Sequence, residues 1–272
     1  MKIFKNKITL KKEIIGQKNL SFIPTMGGLH NGHKFLIKRA KKLKRKIIVS
    51  IYVNPKQFNS KSDFNSYPRN IKNDLIILKK LKIDYVYTPH FNDIFSFKVQ
   101  NKIFLDKFSK ELCGKTRKSH FKGVIEVVNR FLEIIKPKYI FLGKKDFQQL
   151  YLIHKHIIKN KISTKIIPCK TIRELNGVAC SSRNKILKDK DLLVASKVHR
   201  HLKRLKNKLK IDKKHKFNLN YEHKKLKYLG INRLDYIKCI NLYTLKKPKS
   251  NKEKFNIFIA YYLGKTRLID NV

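Results

Sequence analysis

The stretch LSFIPTMGGLHNGHKFLIKRAKKLKRKIIVSIYVNP, residues 20–55, decides the fold of this chain. The short apolar run Leu20 to Pro24 is typical of a strand, and the β-branched run Ile47 to Val53 predicts a second strand. Between the two strands, apolar residues at helical spacing predict an amphipathic helix: Phe35, Leu36, Ala40 and Leu43. A turn rich in glycine joins the first strand to this helix, at Gly27, Gly28 and Gly32. The stretch therefore predicts one βαβ unit.

The turn carries two histidines, His30 and His33, in the spacing H-N-G-H. The start of a helix favours a surface anion by about 0.3–1 kcal/mol, and glycine lets the backbone approach a phosphate closely. Two imidazoles three residues apart can both donate hydrogen bonds to one phosphate. So short a motif also matches loops without a ligand, and that alternative stays open for the motif alone. Its place between a predicted strand and a predicted helix favours phosphate binding.

The charge of the chain is unusual. It has 272 residues, enough for one large or two modest domains, with 66 Lys and Arg against 18 Asp and Glu, a net charge of +48. Such a charge points to nucleic acid or another anionic surface. However, the lysines are spread along every segment, together with abundant Ile and Asn, and form no basic tail. We therefore favour a compositional bias over a specific nucleic-acid site, and expect the charge to attract anionic small substrates.

The cysteines and the lengths of the apolar segments bear on where in the cell the protein is expected. The four cysteines show no CxxC or other metal-ligand spacing, so we expect reduced thiols and no protein metal site: Cys113, Cys169, Cys180 and Cys239. The N-terminus lacks the long apolar core of a secretory signal. No apolar stretch reaches the ~18 residues of a membrane-spanning helix. These features predict a soluble cytoplasmic protein without a membrane partner.

Strand and helix patterns alternate along the first 170 residues, which predicts a mostly parallel sheet with helices on both faces. Predicted helices cover Ile71–Leu81, Gly123–Ile135 and Phe147–Ile158, and predicted strands cover Ile83–Thr88, Tyr139–Leu142 and Ile162–Pro168. The segment between Phe91 and Ser119 is harder to interpret. It offers a strand candidate near Ile103–Leu105 and a turn at Cys113–Lys115.

The pattern changes after Cys169, which places a domain boundary near Lys170 and predicts domains over residues 1–170 and 171–272. The second domain begins with a polar loop over Thr171–Asn184. The stretch Lys210–Lys227 is rich in lysine and weakly patterned. The remaining pattern predicts a small α+β domain, with a basic helix over Asp189–Leu209 and strands over Asp235–Tyr243, Phe255–Tyr262 and Thr266–Ile269.

Four polar clusters follow predicted strands or occupy the domain junction: His30–His33, Asn54–Phe58, Gly143–Gln149 and Cys180–Asn184. In an open α/β sheet, ligands bind at the carboxyl ends of the strands. Each cluster alone has an ordinary alternative, such as a solvated lysine at Lys145 or capping residues at Gln148 and Gln149. Together they offer lysine, arginine and hydroxyl groups for a nucleotide, and amides for a hydroxyl or carboxylate group.

Seven motifs, in order, resemble those of the pantothenate synthetase (pantoate–β-alanine ligase) family of HxGH nucleotidyltransferases. They are PTMGGLHNGH (24–33), VNPKQF (53–58), YPR (67–69), HFKGV (120–124), FLGKKDFQQL (141–150), SSRN (181–184) and TRLIDN (266–271). The match is weak from Lys190 to Ser250. The resemblance implies a Rossmann-like N-terminal domain, a small C-terminal lid domain and a homodimer. It also implies ATP as a substrate with Mg²⁺, and no tightly bound cofactor.

The resemblance implies a two-step reaction in which ATP adenylates the carboxylate of pantoate and the amine of β-alanine then displaces AMP. Among the matched positions, Gln57 and Gln149 are the implied pantoate-binding residues, and Gln57 also belongs to the implied β-alanine site. The implied catalytic residues are His33, as the proton donor, with His30, Lys145 and Arg183. The implied ATP-binding residues are Met26, Gly27, Gly28, Leu29, His30, Asn31, Gly32, His33, Gly143, Lys144, Lys145, Asp146, Ile172, Cys180, Ser181, Ser182 and Arg183.

The chain departs from the family pattern at four places. Lys144 stands where glutamate is common, and Lys122 replaces an arginine, a planar bidentate donor. Cys180 stands where an apolar residue is common, and Glu126 replaces a small or hydroxyl residue. None of these changes removes an implied catalytic group, so they bear on efficiency more than on reaction type.

Two rival functions stay open from the residues alone. One is another HxGH nucleotidyltransferase that makes a dinucleotide-like product, against which VNPKQF and the pair Gln148–Gln149 offer a site for a small hydroxy acid. The other is a basic nucleic-acid-binding module, motivated by the net charge of +48. A salt titration of nucleic-acid binding separates the second rival from an enzyme.

Overall fold

In the computed structural model, residues 1–212 and 216–272 are described. Contacts between Cα atoms divide the chain into two compact units, residues 1–172 and residues 173–272. Across the described ranges, no helix is both long enough and apolar enough to cross a lipid bilayer.

The first unit combines a six-stranded sheet with helices. Its strands are β1 (Lys2–Phe4), β2 (Ser21–Thr25), β3 (Ile47–Ile51), β4 (Tyr85–Tyr87), β5 (Tyr139–Gly143) and β6 (Lys165–Cys169). Its helices are α1 (Lys7–Ile14), α2 (Asn31–Lys41), α3 (Lys61–Asn65), α4 (Ile71–Lys80), α5 (Phe91–Phe95), α6 (Cys113–Thr116), α7 (His120–Ile135) and α8 (Phe147–Lys159). Short 3₁₀ turns cover Pro55–Gln57, Lys107–Lys110 and Lys144–Asp146.

The sheet is parallel throughout, with the strand order β1-β4-β3-β2-β5-β6. From β2 the chain moves outward through β3 and β4, and then returns to place β5 on the other side of β2. The order therefore reverses beside β2, at the type of switch point where open α/β sheets bind ligands.

Strand β2 separates from β5 toward this edge. It pairs with β3 at every position from Ser21 to Thr25, but with β5 only at Ser21 and Phe22. The N–H of Ser21 bonds to Lys46 on the β3 side, and successive residues of a strand point their N–H groups to opposite sides. Pro24 thus falls where an N–H would face β5, and proline has none to donate. The proline therefore offers no ladder hydrogen bond to β5 where the two strands separate.

Helices cover both faces of the sheet, because neighbouring strand residues point to opposite faces. Ile23 and Val86 pack on one face with residues of α2 and α4, such as Ile37. On the other face, the rings of Phe22 and Tyr87 contact Phe131 of α7, with ring centroids 5.5 and 6.0 Å apart. The predicted parallel α/β architecture is confirmed.

The prediction of a strand near Ile103–Leu105 is wrong. This segment runs irregularly beside α8, whose side chains take the place of a neighbouring strand. The N–H of Phe104 donates to His156 Nδ1 at 3.3 Å, and Asn160 Nδ2 donates to the carbonyl of Lys102 at 3.1 Å. Because these side chains bind the N–H of Phe104 and the carbonyl of Lys102, these two groups are satisfied without a neighbouring strand.

Two further local predictions fail. Cys113–Lys115 is part of helix α6 rather than a turn, and Gly114 serves close packing, since an added Cβ would lie 1.7 Å from the carbonyl oxygen of Ser109. Leu43 does not join the apolar face of α2, because the helix ends at Lys41 and Leu43 is exposed.

The second unit contains α9 (Asp189–Ile211), α10 (Leu219–Tyr228) and a three-stranded antiparallel sheet in the order β7 (Arg233–Asn241), β8 (Phe255–Leu263) and β9 (Thr266–Asn271). The predicted α+β class is confirmed. Helix α10 begins inside the weakly patterned stretch Lys210–Lys227 and ends one residue beyond it. Within this stretch, Lys213 to His215 are outside the described residues. Leu226 is fully buried there, and Glu222 bonds to His201 of α9 at 2.5 Å.

A buried histidine links α7 and α8. His156 is 0% exposed, and its Nε2 lies 3.0 Å from Asn129 Oδ1. Its Nδ1 accepts the N–H of Phe104, so in the neutral ring Nε2 carries the proton and donates to Asn129. Burial lowers the pKa of His156 to about 4, although the nearby charge of Glu133 opposes the shift. The folded chain therefore holds this imidazole neutral at pH values where an unfolded chain protonates it.

We predict that His156 makes the first unit less stable in mild acid. Below about pH 6.5 the unfolded state binds a proton that the folded state does not bind until about pH 4. The free energy of unfolding should fall by about 2 kcal/mol between pH 7 and pH 5 from this group. Urea unfolding of wild type and His156→Gln should show that the substitution removes this slope. His154→Gln, at an exposed position of the same helix, is the control. Equal pH slopes in all three proteins would contradict the assignment.

Candidate active site

The candidate site is built from three loops that follow three adjacent strands. Strands β3, β2 and β5 are neighbours in the sheet, and their carboxyl ends lead into residues 52–58, 26–30 and 144–149 respectively. The three sequence-predicted clusters of the first unit therefore begin at one edge of the sheet, at the switch point. We name residues 52–58 the β3 loop, residues 26–30 the β2 loop and residues 144–149 the β5 loop.

A buried carboxylate holds the β2 loop. Asp74, in the first turn of α4, is 1% exposed and accepts the N–H groups of Gly28 and Leu29, both at 2.8 Å. Gly27 has a φ of +79°, and an added Cβ would lie 2.9 Å from Asp74 Oδ2. Glycine is thus required both for this backbone conformation and for the approach of the carboxylate.

Asp74 was not among the site residues predicted from the sequence. The available signal was an acidic residue four positions before Leu78, and therefore on the apolar stripe of a predicted helix. A carboxylate at such a buried position needs hydrogen-bond donors, and the glycine turn supplies them.

The two histidines of the motif lie side by side at the start of α2. His30 Nδ1 accepts the N–H of Gly32 at 3.1 Å, and His33 Nδ1 accepts the N–H of His30 at 3.4 Å. The ring centroids are 4.0 Å apart. Because both Nδ1 atoms are acceptors, each neutral ring carries its proton on Nε2. The helix cap thereby presets two adjacent N–H donors beside the N-terminus of α2.

The β3 loop is docked onto the start of α7. Asn54 Nδ2 donates to the carbonyl of Gly123 at 3.0 Å. The carbonyl oxygen of Gln57 accepts from His120 Nδ1 at 2.6 Å and from a guanidinium nitrogen of Arg117 at 3.1 Å. An added Cβ on Gly123 would lie 2.2 Å from the carbonyl oxygen of Lys56, which explains the glycine of HFKGV. The HFKGV segment thus supports the neighbouring loop.

The β3 and β2 loops touch each other through Gln57. The side chain of Gln57 is buried, and its amide donates to the sulfur of Met26. This contact joins a residue implied in pantoate binding to one implied in ATP binding. Two of the sequence-predicted site residues are therefore brought together in the first unit.

The β5 loop presents Lys145, whose Nζ lies 3.7 Å from Asp146 Oδ1. Lys144 is exposed. At Gly143 the φ of −79° is ordinary, so no backbone requirement explains this glycine. An added Cβ there would meet no described atom within 4 Å, which leaves open space at the end of β5.

The two glutamines that follow differ in role, which corrects the prediction that the pair together supplies a substrate site. Gln148 accepts the N–H of Cys113 at 3.1 Å and donates to the carbonyls of Phe108 and Glu111, both at 2.7 Å. The side-chain amide of Gln148 thus hydrogen-bonds to the backbone that leads into α6. Gln149 is half-buried and makes no side-chain hydrogen bond within the described ranges.

The remaining predicted residues are distributed between the units. Ile172 is the last residue of the first unit, and Cys180–Arg183 lie in the second. Ser181 accepts the N–H of Arg183 at 3.3 Å and so begins the 3₁₀ turn Ser182–Ile186. Asn184 Nδ2 donates to the carbonyl of Ala179 at 3.0 Å. Cys180 is buried, so this departure from the family pattern places a small side chain in the interior.

A partly buried ion pair holds the hairpin that precedes these residues. Arg173 pairs with Ala179 in an isolated bridge and donates two bonds to Asp270, at 2.8 and 2.9 Å. His199 Nδ1 lies 3.4 Å from the same carboxylate. Burial alone would raise the pKa of Asp270, but His199 and Arg173 outweigh it and hold the pKa below its ordinary value. This pair explains the aspartate of TRLIDN as a structural anchor.

Of the two departures on α7, the structure explains Glu126 but not Lys122. Glu126 of α7 lies 3.5 Å from Lys56 Nζ, so the acidic residue balances a lysine of the β3 loop. The same Nζ lies 4.2 Å from the ring centroid of Phe95. Lys122 is exposed on α7.

The sequence is similar to known proteins along nearly its whole length. The sequence model of the family described as Pantoate-beta-alanine ligase matches residues 2–272. A pantothenate synthetase of Clostridium botulinum (strain Langeland) is 35% identical over 266 residues, covering 97% of this chain and 95% of the relative. One from Francisella tularensis subsp. novicida is 37% identical over 267 residues, covering 97% and 92%.

Solved structures show the same likeness. Pantoate-beta-alanine ligase from Francisella tularensis, complexed with beta-gamma ATP and beta-alanine, matches with a TM-score of 0.83 and 36% identity, over 100% of this chain and 97% of that chain. Pantothenate synthetase from Thermus thermophilus matches with a TM-score of 0.91 and 25% identity, over 100% and 99%.

We predict that Asp74→Asn lowers the free energy of unfolding by about 2–3 kcal/mol. Asparagine keeps one acceptor oxygen but turns an NH₂ group toward one of the two backbone N–H donors. Urea unfolding monitored by circular dichroism measures the change. Asp189→Asn, at an exposed first-turn position of α9, is the matched control and should stay within about 0.5 kcal/mol of wild type. Equal stability of the two variants would contradict the anchoring role of Asp74.

Proposed function

The chain belongs to the pantoate–β-alanine ligase family, and we propose that its candidate active site condenses pantoate with β-alanine, converting ATP to AMP and pyrophosphate. The product is pantothenate. The observation that carries this proposal is the family match over residues 2–272, together with the three matching loops on adjacent strands of the sheet. The ligand names of the Francisella tularensis structure support ATP and β-alanine as substrates.

In the first step, an oxygen of the pantoate carboxylate attacks the α-phosphorus of ATP. A new bond forms between this oxygen and phosphorus, and the bond to the bridging oxygen of pyrophosphate breaks. Negative charge develops on the transferred and leaving phosphates. The Nε2–H groups of His30 and His33 and the ammonium of Lys145 are proposed to stabilise it, with Arg183 assigned to the same role by its motif. One such donor, already aimed at the developing charge, lowers the activation free energy by roughly 3–4 kcal/mol.

In the second step, the neutral amine of β-alanine attacks the acyl carbon and AMP leaves. No enzyme side chain becomes covalently linked, because the pantoate carboxylate is the nucleophile of the first step. The amides of Gln57 and Gln149 are proposed to hold pantoate, with Gln57 also contacting β-alanine. Positioning of the amine beside the mixed anhydride is the main contribution that the protein makes here.

The remaining ATP contacts are proposed from the motifs: Met26 to His33, Gly143 to Asp146, Ile172 and Cys180 to Arg183. ATP is proposed to enter as its Mg²⁺ complex, since Mg²⁺ is usually held by substrate phosphates with few protein ligands. The family resemblance further supports three proposals: ATP and pantoate binding by residues 1–170, a lid role for residues 171–272, and a cytoplasmic homodimer.

The direct test is to mix the protein with ATP and pantoate in the absence of β-alanine. We expect one equivalent of pyrophosphate and an enzyme-bound pantoyl adenylate, and AMP release only after β-alanine is added. AMP formation that does not depend on pantoate would contradict the proposal and favour another HxGH nucleotidyltransferase.

We predict that His33→Ala and Lys145→Ala each slow adenylate formation by about 10²–10³, because each removes a donor aimed at the developing charge. Rapid-quench measurement of pyrophosphate release gives the rates. His154→Ala and Lys159→Ala, at exposed positions of α8, are matched controls that should retain the wild-type rate. Near-normal rates in both site variants would refute the assigned roles.

We predict that Gln57→Ala and Gln148→Ala separate substrate binding from structure. Gln57→Ala should raise KM for pantoate and for β-alanine about tenfold, because a substrate hydrogen bond worth about 1.4 kcal/mol is lost. Gln148→Ala should instead lower the thermal midpoint, since three bonds to the backbone are lost. Steady-state kinetics and thermal unfolding of both variants measure the two effects. Unchanged KM values for both acids in Gln57→Ala would contradict its placement.

A further inference from the structure

The position of Gln57 is set through its backbone by a histidine outside the proposed binding residues. His120 is the first residue of α7, and its Nδ1 lies 2.6 Å from the carbonyl oxygen of Gln57, 63 residues away in sequence. The preceding Ser119 has a φ of +63°, a left-handed conformation that non-glycine residues rarely adopt. The chain thus accepts a strained residue immediately before this contact.

The contacts of His120 determine which nitrogen carries the proton. Its Nε2 lies 3.1 Å from a guanidinium nitrogen of Arg117. A guanidinium can only donate, so Nε2 must accept. A carbonyl oxygen can only accept, so Nδ1 must donate to Gln57. Both contacts are satisfied together only by the neutral imidazole with its proton on Nδ1.

Arg117 strengthens the arrangement from a second direction. Its other terminal nitrogen donates to the same carbonyl oxygen of Gln57 at 3.1 Å and lies 3.9 Å from Asp63 Oδ2. On the far side of the turn, the backbone of Lys56 rests against Gly123. The backbone at Gln57 is therefore held by His120 and Gly123 of α7 and by Arg117, which precedes α7.

We propose that His120 is a positioning residue for Gln57, and that its Nδ1–H tautomer, set by Arg117, determines where the Gln57 amide meets pantoate and β-alanine. This inference rests on the proposed function, because it assigns a role in substrate use. His120 itself acts through Gln57 and need not touch either substrate.

Two substitutions of His120 distinguish positioning from simple packing. The side-chain amide nitrogen of asparagine can occupy the place of Nδ1, whereas that of glutamine reaches the place of Nε2. His120→Asn therefore keeps a donor for the Gln57 carbonyl, and His120→Gln does not. We expect His120→Gln to raise KM for pantoate about tenfold with kcat changed less, and His120→Asn to stay within about threefold of wild type.

The result that overturns the proposal is equal behaviour of the two variants in KM for pantoate, whether both match wild type or both lose activity in step with thermal stability. The wild-type protein is assayed alongside them. If the wild-type protein forms no AMP in response to pantoate, the proposed function is wrong. If it does and the two variants behave alike, only the positioning role of His120 is wrong.

A second measurement does not depend on activity. Two-bond ¹H–¹⁵N spectra of the wild-type protein, with the His120 signals identified by their loss in His120→Asn, report which ring nitrogen is protonated. We expect Nδ1 to carry the proton and Nε2 to carry none, because Nδ1 faces a carbonyl oxygen and Nε2 faces a guanidinium. A proton on Nε2 would overturn the proposed tautomer even if the variants fold poorly.

Discussion

The structure of the candidate site depends on hydrogen bonds that run from helix side chains into the backbone of the strand-end loops. A loop after a parallel strand has no neighbouring strand to bind its N–H and C=O groups, so other partners must do so. Asp74 of α4 binds two N–H groups of the β2 loop, and His120 of α7 binds the carbonyl of Gln57 in the β3 loop. These loops are therefore ordered by their own protein before any substrate is bound.

Such order matters for the proposed chemistry because donors that are already aimed at a developing charge need no rearrangement during reaction. The caps of α2 set the protons of His30 and His33 on their Nε2 atoms, side by side. The separation of β2 from β5 at Pro24 opens the edge of the sheet at the same place. Backbone packing, helix capping and the proline of PTMGGLH thus act on one region of the first unit.

The sequence predicted the architecture wherever local pattern is strong. The strand and helix around the HNGH turn, and the alternation up to β6, follow from apolar periodicity alone. Features that depend on distant partners were missed: Asp74 and Gly28 are 46 residues apart, and Gln148 and Cys113 are 35 apart. The irregular segment before α6 was missed because polar side chains bind its backbone. Helix α10 was missed because its sequence is rich in lysine and carries little apolar periodicity. The sequence motifs located the loops, but the residues that hold these loops, such as Asp74 and His120, were identified only from the structure.

The central claim is that the loops hold ATP and pantoate so that a carboxylate oxygen attacks the α-phosphorus. Pantoate labelled with ¹⁸O in both carboxylate oxygens tests this claim most directly, with mass spectrometry of the products after a complete reaction with ATP and β-alanine. One ¹⁸O should appear in AMP and one in the amide carbonyl of pantothenate. Unlabelled AMP, or label in pyrophosphate, would contradict the account.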